Sequence, residues 1–593
     1  MLLLRRPALR QRVLGLLLSS TALFITAAAA DVGDEWPMAT GDYANTRYSS
    51  LAEIDTSNVQ RLVEIARRPT GAERGHEAAP LVIGDRLYLI TPWPNDVLAF
   101  DLRRADLPLA WRYAPAPDAA AQGVACCDVV SRGLGYAQGL VIVATLDAQA
   151  IAVDAATGTE RWRTPLGDFR SGETITMAPT IVGDLALIGN SGGEFGVRGW
   201  LKALDVASGA VRWEAYSTGP DRDVRLGPAF RPFYASDRGI DLGVRTWPGD
   251  AWQHGGGNVW GFLAYDPALD LVFHGTANPG PWNPDQRPGD NKWTSGVFAR
   301  RPATGEAVWF YQWSPHDLHD YDGVNENVLV ELPIGGALRA VLLHPDRNGY
   351  LYVLDRATGQ VLSADPFVEI NTSRGVDLAS GRLLYDDAKT PRSGEMTRDI
   401  CPASPGAKDW QPAAWSPRTR LLYLPHQQLC QDARTYPASH VPGTPFLGAT
   451  VVMEGSREGR GRFTAWDPVA RRIAWQRRER FPVWSGALAT AGDLVFYATM
   501  DGEFKALDAH DGELLWSHRL HAGSVGQPVA YRAPDGHEYI AILAGVGGWA
   551  GNVVAGDLDR RDGSGGGGFV AAMRDLPAPS DRRGALYVFG LPR

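Results

Sequence analysis

Cysteine is scarce in this chain, with four in 593 residues. Disulfides therefore cannot be the main staple of so long a fold, and a large apolar core must hold it together. No Cys-x-x-Cys-His run occurs, which excludes the usual covalent attachment of haem; electrons, if handled, must leave to another protein. Long amphipathic helical periodicity is missing too, and most of the apolar content falls in short runs such as PLVIGDRLYLI, GLVIVATL, PTIVGDLALIG and GDLVFYATM. Basic charge is in deficit, 58 Lys and Arg against 67 Asp and Glu. A mildly acidic surface argues against nucleic acid and suits basic protein partners.

The first residues carry Arg5, Arg6, Arg10 and Arg12 with no acid, followed by an apolar stretch from Val13 that ends in small residues at Ala27 to Ala30. Residues 1–30 read as a cleavable secretory signal. Ser19, Ser20 and Thr21 interrupt the stretch and argue against a retained membrane anchor. The expected mature chain starts near Asp31 in the periplasm, and loss of four arginines takes its formal charge from -9 to -13.

Cys126 and Cys127 are neighbours. Adjacent alpha carbons sit about 3.8 Å apart, whereas ordinary disulfides span roughly 4.4 to 6.8 Å. A bridge here would close a small strained ring with a hard, flat surface suited to a planar cofactor. The alternative is a pair of reduced, buried thiols. Of the possible pairings, the expected one is local: Cys126 with Cys127, and Cys401 with Cys430.

Three segments look alike: AVDAATGTERW (152–162), ALDVASGAVRW (203–213) and ALDAHDGELLW (506–516), with weaker copies around Trp111, Trp309, Leu362 and Trp475. In each, a strand ends in Asp, a Gly-containing turn follows, and a new strand starts near the Trp. Trp162 follows Trp111 by 51 residues, and Trp213 follows Trp162 by the same interval. Such a period with several short strands marks a β-propeller. The expected fold is all-β, one domain over residues 31–593, an eight-bladed β-propeller with tryptophan-docking repeats. Insertions are expected between Gly219 and Gly257 and between Ser363 and Cys401, with a flexible surface loop at Gly563 to Gly568. The final ALYVFGL is expected to close the ring against the first segment. The repeated tryptophans dock blades, so function must lie off the repeat.

Off the repeat, SPHDLHDYDGVNEN (314–327) crowds Asp317, Asp320, Asp322 and Glu326 together. Clustered carboxylates repel one another and are costly to dehydrate, and a bound cation removes both objections; a solvated acidic loop is the alternative. Asp320 and Asp322 point the same way in extended backbone. With Glu194 after two glycines and Asn278 in a turn-rich stretch, they would form an all-oxygen site for calcium or a harder, larger ion. Arg347 stands just before a strand, where it could face a planar oxyanion or simply solvent.

Taken with RGHEAAPLV, ACCDVVSRG, TMAP, NSGGEFGVRG, GDAWQHGGGNVWG, NPGPWNPDQRPGDNKW, HPDRNGYLYVLDR, RDICPASPGAKDWQPAAWSP, VWSGALATAGDLVFY and GVGGWAG, the chain resembles pyrroloquinoline quinone (PQQ)-dependent alcohol dehydrogenases. It is most similar to the lanthanide-dependent methanol dehydrogenases. The resemblance covers essentially the whole mature chain. It implies that the quinone sits at the propeller axis between Trp260 and a Cys126–Cys127 disulfide. Glu77, Arg132, Thr176, Ser191, Gly192, Gly193, Asp409, Trp410 and Trp484 would surround its edge, with Trp549 nearby. Glu194, Asn278, Asp320 and Asp322 would bind the metal. Asp320 would double as catalytic base, and Arg347 would hydrogen-bond the reactive quinone oxygen.

The resemblance ties the choice of metal to Asp322. Calcium-dependent relatives typically have Ala or another uncharged residue there. A further carboxylate about 4 Å away is worth roughly 4 kcal/mol per unit of ionic charge at an effective dielectric near 20. A lanthanide of the lanthanum, cerium or neodymium type is therefore expected, with calcium the alternative. Asn258 stands where calcium-type enzymes have Thr and is left out of the quinone contacts; Asp409 stands where many have Asn. The implied reaction is oxidation of a small primary alcohol, above all methanol, with a soluble c-type cytochrome as acceptor and a homodimeric assembly. A calcium-dependent or broader alcohol dehydrogenase is the alternative within the class. A non-enzymatic periplasmic propeller scaffold is the alternative outside it.

Overall fold

The computed structural model describes residues 33–455 and 459–593. The expected leader and the mature start at Asp31 lie outside the described residues. Among the described residues, the strands form eight sheets with the four-stranded meander of a propeller blade, plus a two-stranded hairpin and a three-stranded sheet. The first blade comprises Leu81–Ile83, Arg86–Ile90, Val97–Asp101 and Leu109–Tyr113, and the next four follow in chain order up to Val361–Pro366. The sixth is built from Ala414–Ser416, Leu421–Gln427, Gly461–Asp467 and Arg472–Glu479. In the seventh, Tyr48–Ser49 adds in parallel beside Leu488–Thr490. The eighth closes the ring: N-terminal Val63–Pro69 pairs antiparallel with Ala585–Gly590, from Val63 opposite Gly590 to Pro69 opposite Ala585. This is the closure expected of ALYVFGL.

The repeat has the structural role expected of it. Six fourth strands place a Trp opposite an Ala of the third strand, as in Ala203 with Trp213 and Ala299 with Trp309. Each indole N–H donates to a backbone carbonyl at the neighbouring blade: Trp111 to Ala155 (3.0 Å), Trp162 to Val206 (2.9 Å), Trp213 to Pro302 (2.8 Å), Trp309 to Arg356 (3.2 Å), Trp475 to Ala509 (3.2 Å) and Trp516 to Leu62 (3.0 Å). The next blade's turn glycine lies flat on the ring; a Cβ on Gly209 would stand 2.5 Å from Trp162. In the fifth blade Ser363 occupies the Trp position, opposite Val353. There Arg471 of the sixth blade grips Asp365 with two hydrogen bonds, 2.7 and 2.8 Å.

How the axis is closed was not foreseen. The segment 43–47 crosses it, and its carbonyls accept from first-strand amides of four successive blades: Tyr43 from Tyr265, Ala44 from Leu329, Thr46 from Trp415 and Arg47 from Ala489. These amides would otherwise form exposed sheet edges. Arg47 is fully buried and donates to Ala39, Ala487, Gln527 and Pro528.

The insertion expected between Gly219 and Gly257 holds the short helices Asp221–Val224 and Leu242–Arg245. The second, expected from Ser363, begins after the strand Val361–Pro366 and contains the hairpin Ser373–Asp377 with Arg382–Tyr385. A third excursion was not foreseen. Leu429–Thr435 and Ala449–Gly455 leave the sixth blade and pair with each other, and Leu429–Thr435 pairs on its other side with Met396–Ile400. Cys401 and Cys430 are bonded beside it, as expected. No helix among the described residues is long and apolar enough to cross a membrane.

Candidate active site

A meander blade has two ends. Its first strand starts, and its second strand ends, on the same face; the turn between third and fourth strands lies on the other. All the repeat turns therefore occupy one face, while the blade-to-blade crossings and the second-to-third-strand loops occupy the opposite one. Every sequence-predicted site residue comes from this second set. Glu77, Cys126, Cys127, Arg132, Thr176, Trp260, Asp320, Asp322, Asp409, Trp410 and Trp484 precede first strands, while Ser191, Gly192, Gly193, Glu194, Asn278, Arg347 and Trp549 follow second strands.

All eighteen line one cavity of about 640 Å³, counting the space at its mouth, together with Val130, Asn258 and Ala277. Asn258 is the polar residue that sequence reasoning set aside. It is 1% exposed, and neither its amide oxygen nor its nitrogen has a hydrogen-bond partner. Its adjacency to Trp260 was the available signal.

Five carboxyl groups in the cavity wall face two guanidiniums. Arg347 lies 2.9 Å from Asp322 Oδ2 and from Asp409 Oδ1 and 3.9 Å from Asp320 Oδ2, and donates to the Asp320 carbonyl at 3.1 Å. Burial opposes its charge, but these carboxylates outweigh that and raise its pKa further. Arg132 pairs with Glu77 at 3.0 Å, donates to Thr176 Oγ1 at 2.8 Å and lies over the Trp260 ring at 4.6 Å. Thr176 Oγ1 is in turn 2.9 Å from Ser191 Oγ.

The acidic residues are held by backbone geometry. Asp320 takes a positive φ of 69° and its N–H donates to Asp317 Oδ2 at 2.9 Å. The Asn278 N–H donates to Asp322 Oδ1 at 2.6 Å, while Asn278 Nδ2 donates to Pro279 O at 3.3 Å, leaving Oδ1 free for the cavity. Gly192, at φ 117°, lets the chain deliver Glu194; a Cβ there would stand 2.2 Å from the Gly172 carbonyl. Burial lifts Asp322 to about 7 despite Arg347, and Glu77 to about 8 despite Arg132. Burial, then the charge of Asp322, pushes Asp320 well above the carboxylate range; burial also raises Glu194.

One expectation is corrected. The vicinal bridge is not formed in this structure: Cys126 and Cys127 are thiols whose Sγ atoms stand 2.8 Å apart, against about 2.05 Å for a bond. Positive φ at Cys127 and Asp128 (67° and 101°) turns the chain sharply at the pair. The sulfurs share one side of the peptide and lack only the last part of the approach.

The residues fit a hard cation and a flat polyanion. Glu194, Asn278, Asp320 and Asp322 offer only oxygen, the donor set of hard ions. Asp320 Oδ1 is buried with no hydrogen-bond partner, a costly condition that a cation relieves. Around the rim stand the Trp260 ring, Arg132, the partnerless indole N–H of Trp410 and the Trp484 indole beside Glu77, an aromatic face with donors at its edge.

Comparisons with known proteins agree. Residues 36–375 and 457–540 match the family model described as glucose/ethanol/alcohol dehydrogenase, beta-propeller domain. The chain is 46% identical over 564 residues to the lanthanide-dependent methanol dehydrogenase of Methylacidiphilum fumariolicum (strain SolV), covering 94% of this chain and 92% of that protein. It is 43% identical to the one from Methylorubrum extorquens, with 94% of each covered. A solved europium-containing methanol dehydrogenase superposes with a TM-score of 0.93 at 46% identity, covering 94% of this chain and 98% of that one. The chain belongs to the family of PQQ-dependent methanol and alcohol dehydrogenases, is strongly similar to lanthanide-dependent members of it, and is a quinoprotein oxidoreductase.

Proposed function

We propose that this enzyme is exported to the periplasm and oxidises primary alcohols, methanol above all, to aldehydes. PQQ and a lanthanide ion would serve it, with electrons passing to a soluble c-type cytochrome. The observation that carries the ion is the pair Asp320 and Asp322 beside Glu194 in one buried cavity. With every group ionised, the wall would hold three uncompensated negative charges, a strongly unfavourable state without a cation. A trivalent ion gains more from the second Asp than calcium does. The relatives named above are methanol dehydrogenases, which supports the substrate; residues 1–30 support export. The absence of any Cys-x-x-Cys-His run supports a separate electron acceptor.

When bound, the quinone and its ion supply a two-electron hydride acceptor activated by a Lewis acid. Glu194, Asn278, Asp320 and Asp322 would hold the ion. The quinone's ring would rest on Trp260, with Arg132, Thr176, Ser191, Gly192, Gly193, Glu77, Asp409, Trp410 and Trp484 at its edge and the two cysteines, oxidised to the bridge, above. Asp320 accepts the alcohol's hydroxyl proton at its unpartnered oxygen. Arg347, fixed by Asp322 and Asp409, offers N–H groups where negative charge develops.

The test is turnover on methanol, ethanol and longer alcohols after reconstitution with quinone and either lanthanum or calcium. Lanthanum-supported oxidation exceeding that with calcium is the expected result. Equal activity with calcium would remove the meaning assigned to Asp322, and no alcohol turnover with either ion would overturn the reading.

A further inference from the structure

The excursion that leaves the sixth blade turns back through YPASHVPGTPFLG, 436–448. Its prolines, Pro437, Pro442 and Pro445, stiffen the segment and keep it from pairing as a strand. At the tip Val441 to Thr444 make a turn with Pro second and Gly third, the order a type II turn favours. The Thr444 N–H donates to the Val441 carbonyl at 3.1 Å, and Gly443 has φ 73°. The segment reaches from the sixth blade to loops of the third and fourth. The Gly443 N–H donates to the Ser171 carbonyl at 3.2 Å. The Gln286 side chain clamps Ala438, donating to its carbonyl and accepting from its N–H, both at 2.8 Å. The Trp282 N–H donates to the Leu447 carbonyl, and the Phe446 N–H donates to the Glu194 carbonyl, each at 2.6 Å. One strap thus grips both the loop that carries Glu194 and the loop that carries Asn278, on two different blades.

The Glu194 loop needs such a grip. Gly192, Gly193 and Gly196 surround Glu194 and leave its backbone little stiffness. Its local order is a single 3₁₀ turn, Gly193–Phe195, closed by the Gly196 N–H on the Gly193 carbonyl at 2.9 Å. The strap backs this turn with rings. A Cβ on Gly196 would stand 2.4 Å from His440 Cδ2 and 3.1 Å from Phe446 Cδ1, and one on Gly280 would stand 3.9 Å from Phe446. His440 meets Phe446 edge to face at 5.5 Å and stacks on His254, of the first insertion, at 3.7 Å with 19° between the planes. Phe446, His440 and His254 lie outside the cavity lining, so they act on the cavity only through the loops they hold. A metal's affinity depends on the groups that orient its ligands, because a ligand free to swing loses more freedom on binding.

We propose that Phe446 and His440 are positioning residues for the ion: through the strap they fix the Glu194 loop against the Asn278 loop, and thereby set how slowly a bound lanthanide leaves. The proposal rests on the reading of this cavity as an ion site and deepens it. The test loads the enzyme with quinone and europium and follows europium luminescence after excess EDTA is added. Phe446→Ala and His440→Ala should release the ion about tenfold to a hundredfold faster than the wild type. His440→Phe, which keeps a ring on His254, should restore slow release. Val441→Ala, on the same strap at a site 53% exposed, should leave the rate alone. Before release, luminescence lifetimes in H2O and D2O count the waters on europium. Both alanine variants should show a higher count than the wild type, the signature of a displaced Glu194 that a loss of stability alone would not give. Release at the wild-type rate from both alanine variants, or an unchanged water count in both, overturns the proposal and leaves the ion site standing. A wild type that holds no europium sinks the reading of the site itself, and the proposal with it.

Discussion

Asp154 and Asp322 are the same residue type on opposite faces of one wheel. Asp154 begins a repeat turn, accepting from Arg161 at 2.6 Å and from the Thr157 N–H at 2.9 Å, and these bonds hold it down to about 2. Asp205 repeats the pattern with Ser208 and Arg212 and is held equally low. On the loop face burial dominates, lifting Asp322 to about 7 and Glu77 to about 8. The turn face places carboxylates where the fold stabilises their charge; the loop face places them where it does not. Charge kept at a cost, and concentrated at one end of the axis, is the mark of a site built around a ligand.

The comparison breaks most visibly at Asp320. Asp320→Asn should lower kcat by about 10³-fold, measured by steady-state turnover of the reconstituted enzyme, whereas Asp154→Asn should leave turnover within about twofold. The docking layer should respond in the reverse sense. Trp309, fully buried in the fourth blade, should cost about 3 kcal/mol of stability as Trp309→Ala, read by denaturant unfolding, with KM of the folded fraction unchanged. Asp322→Ala should weaken a trivalent ion relative to calcium by up to about a thousandfold, seen by competition calorimetry, and preserve the fold.

The mildest effect is one of pH. Glu77 and Asp322 hold protons in the folded chain that the unfolded chain loses near pH 4. Without an ion, their contribution to stability therefore falls as pH rises from about 4 through 7 and 8. Asp154 acts in the opposite direction: its stabilisation is present above about pH 4 and is lost as pH falls toward about 2. Thermal unfolding of metal-free protein across this range checks both slopes, and added lanthanide should flatten the upper one.

Much of this was legible in the amino-acid order because the repeat motif does two things at once. The Asp and Gly of AVDAATGTERW make the turn, and its Trp makes the blade contact, so one pattern reports both the strand order and its packing. The site was legible for a different reason: its motifs interrupt the repeat, and the meander puts every interruption on one face. What escaped detection depends on partners remote in sequence. Leu429–Thr435 is defined by pairing with Met396–Ile400 across an insertion, and residues 43–47 form no element of their own until four blades surround them. Asn258 was missed because an amide in a glycine-rich run looks like turn chemistry; only its burial without partners marks it. The sulfur pair shows the same limit, since adjacency reveals proximity but the oxidation state is chemistry performed after folding.

The most direct measurement is the ion content of purified enzyme reconstituted with quinone and lanthanum, by mass spectrometry of the metal per chain. One tightly held lanthanum in the wild type and in Asp154→Asn, and none after Asp320→Asn with Asp322→Asn in the same chain, is the result this account predicts. Unchanged lanthanum content in that double variant would contradict it.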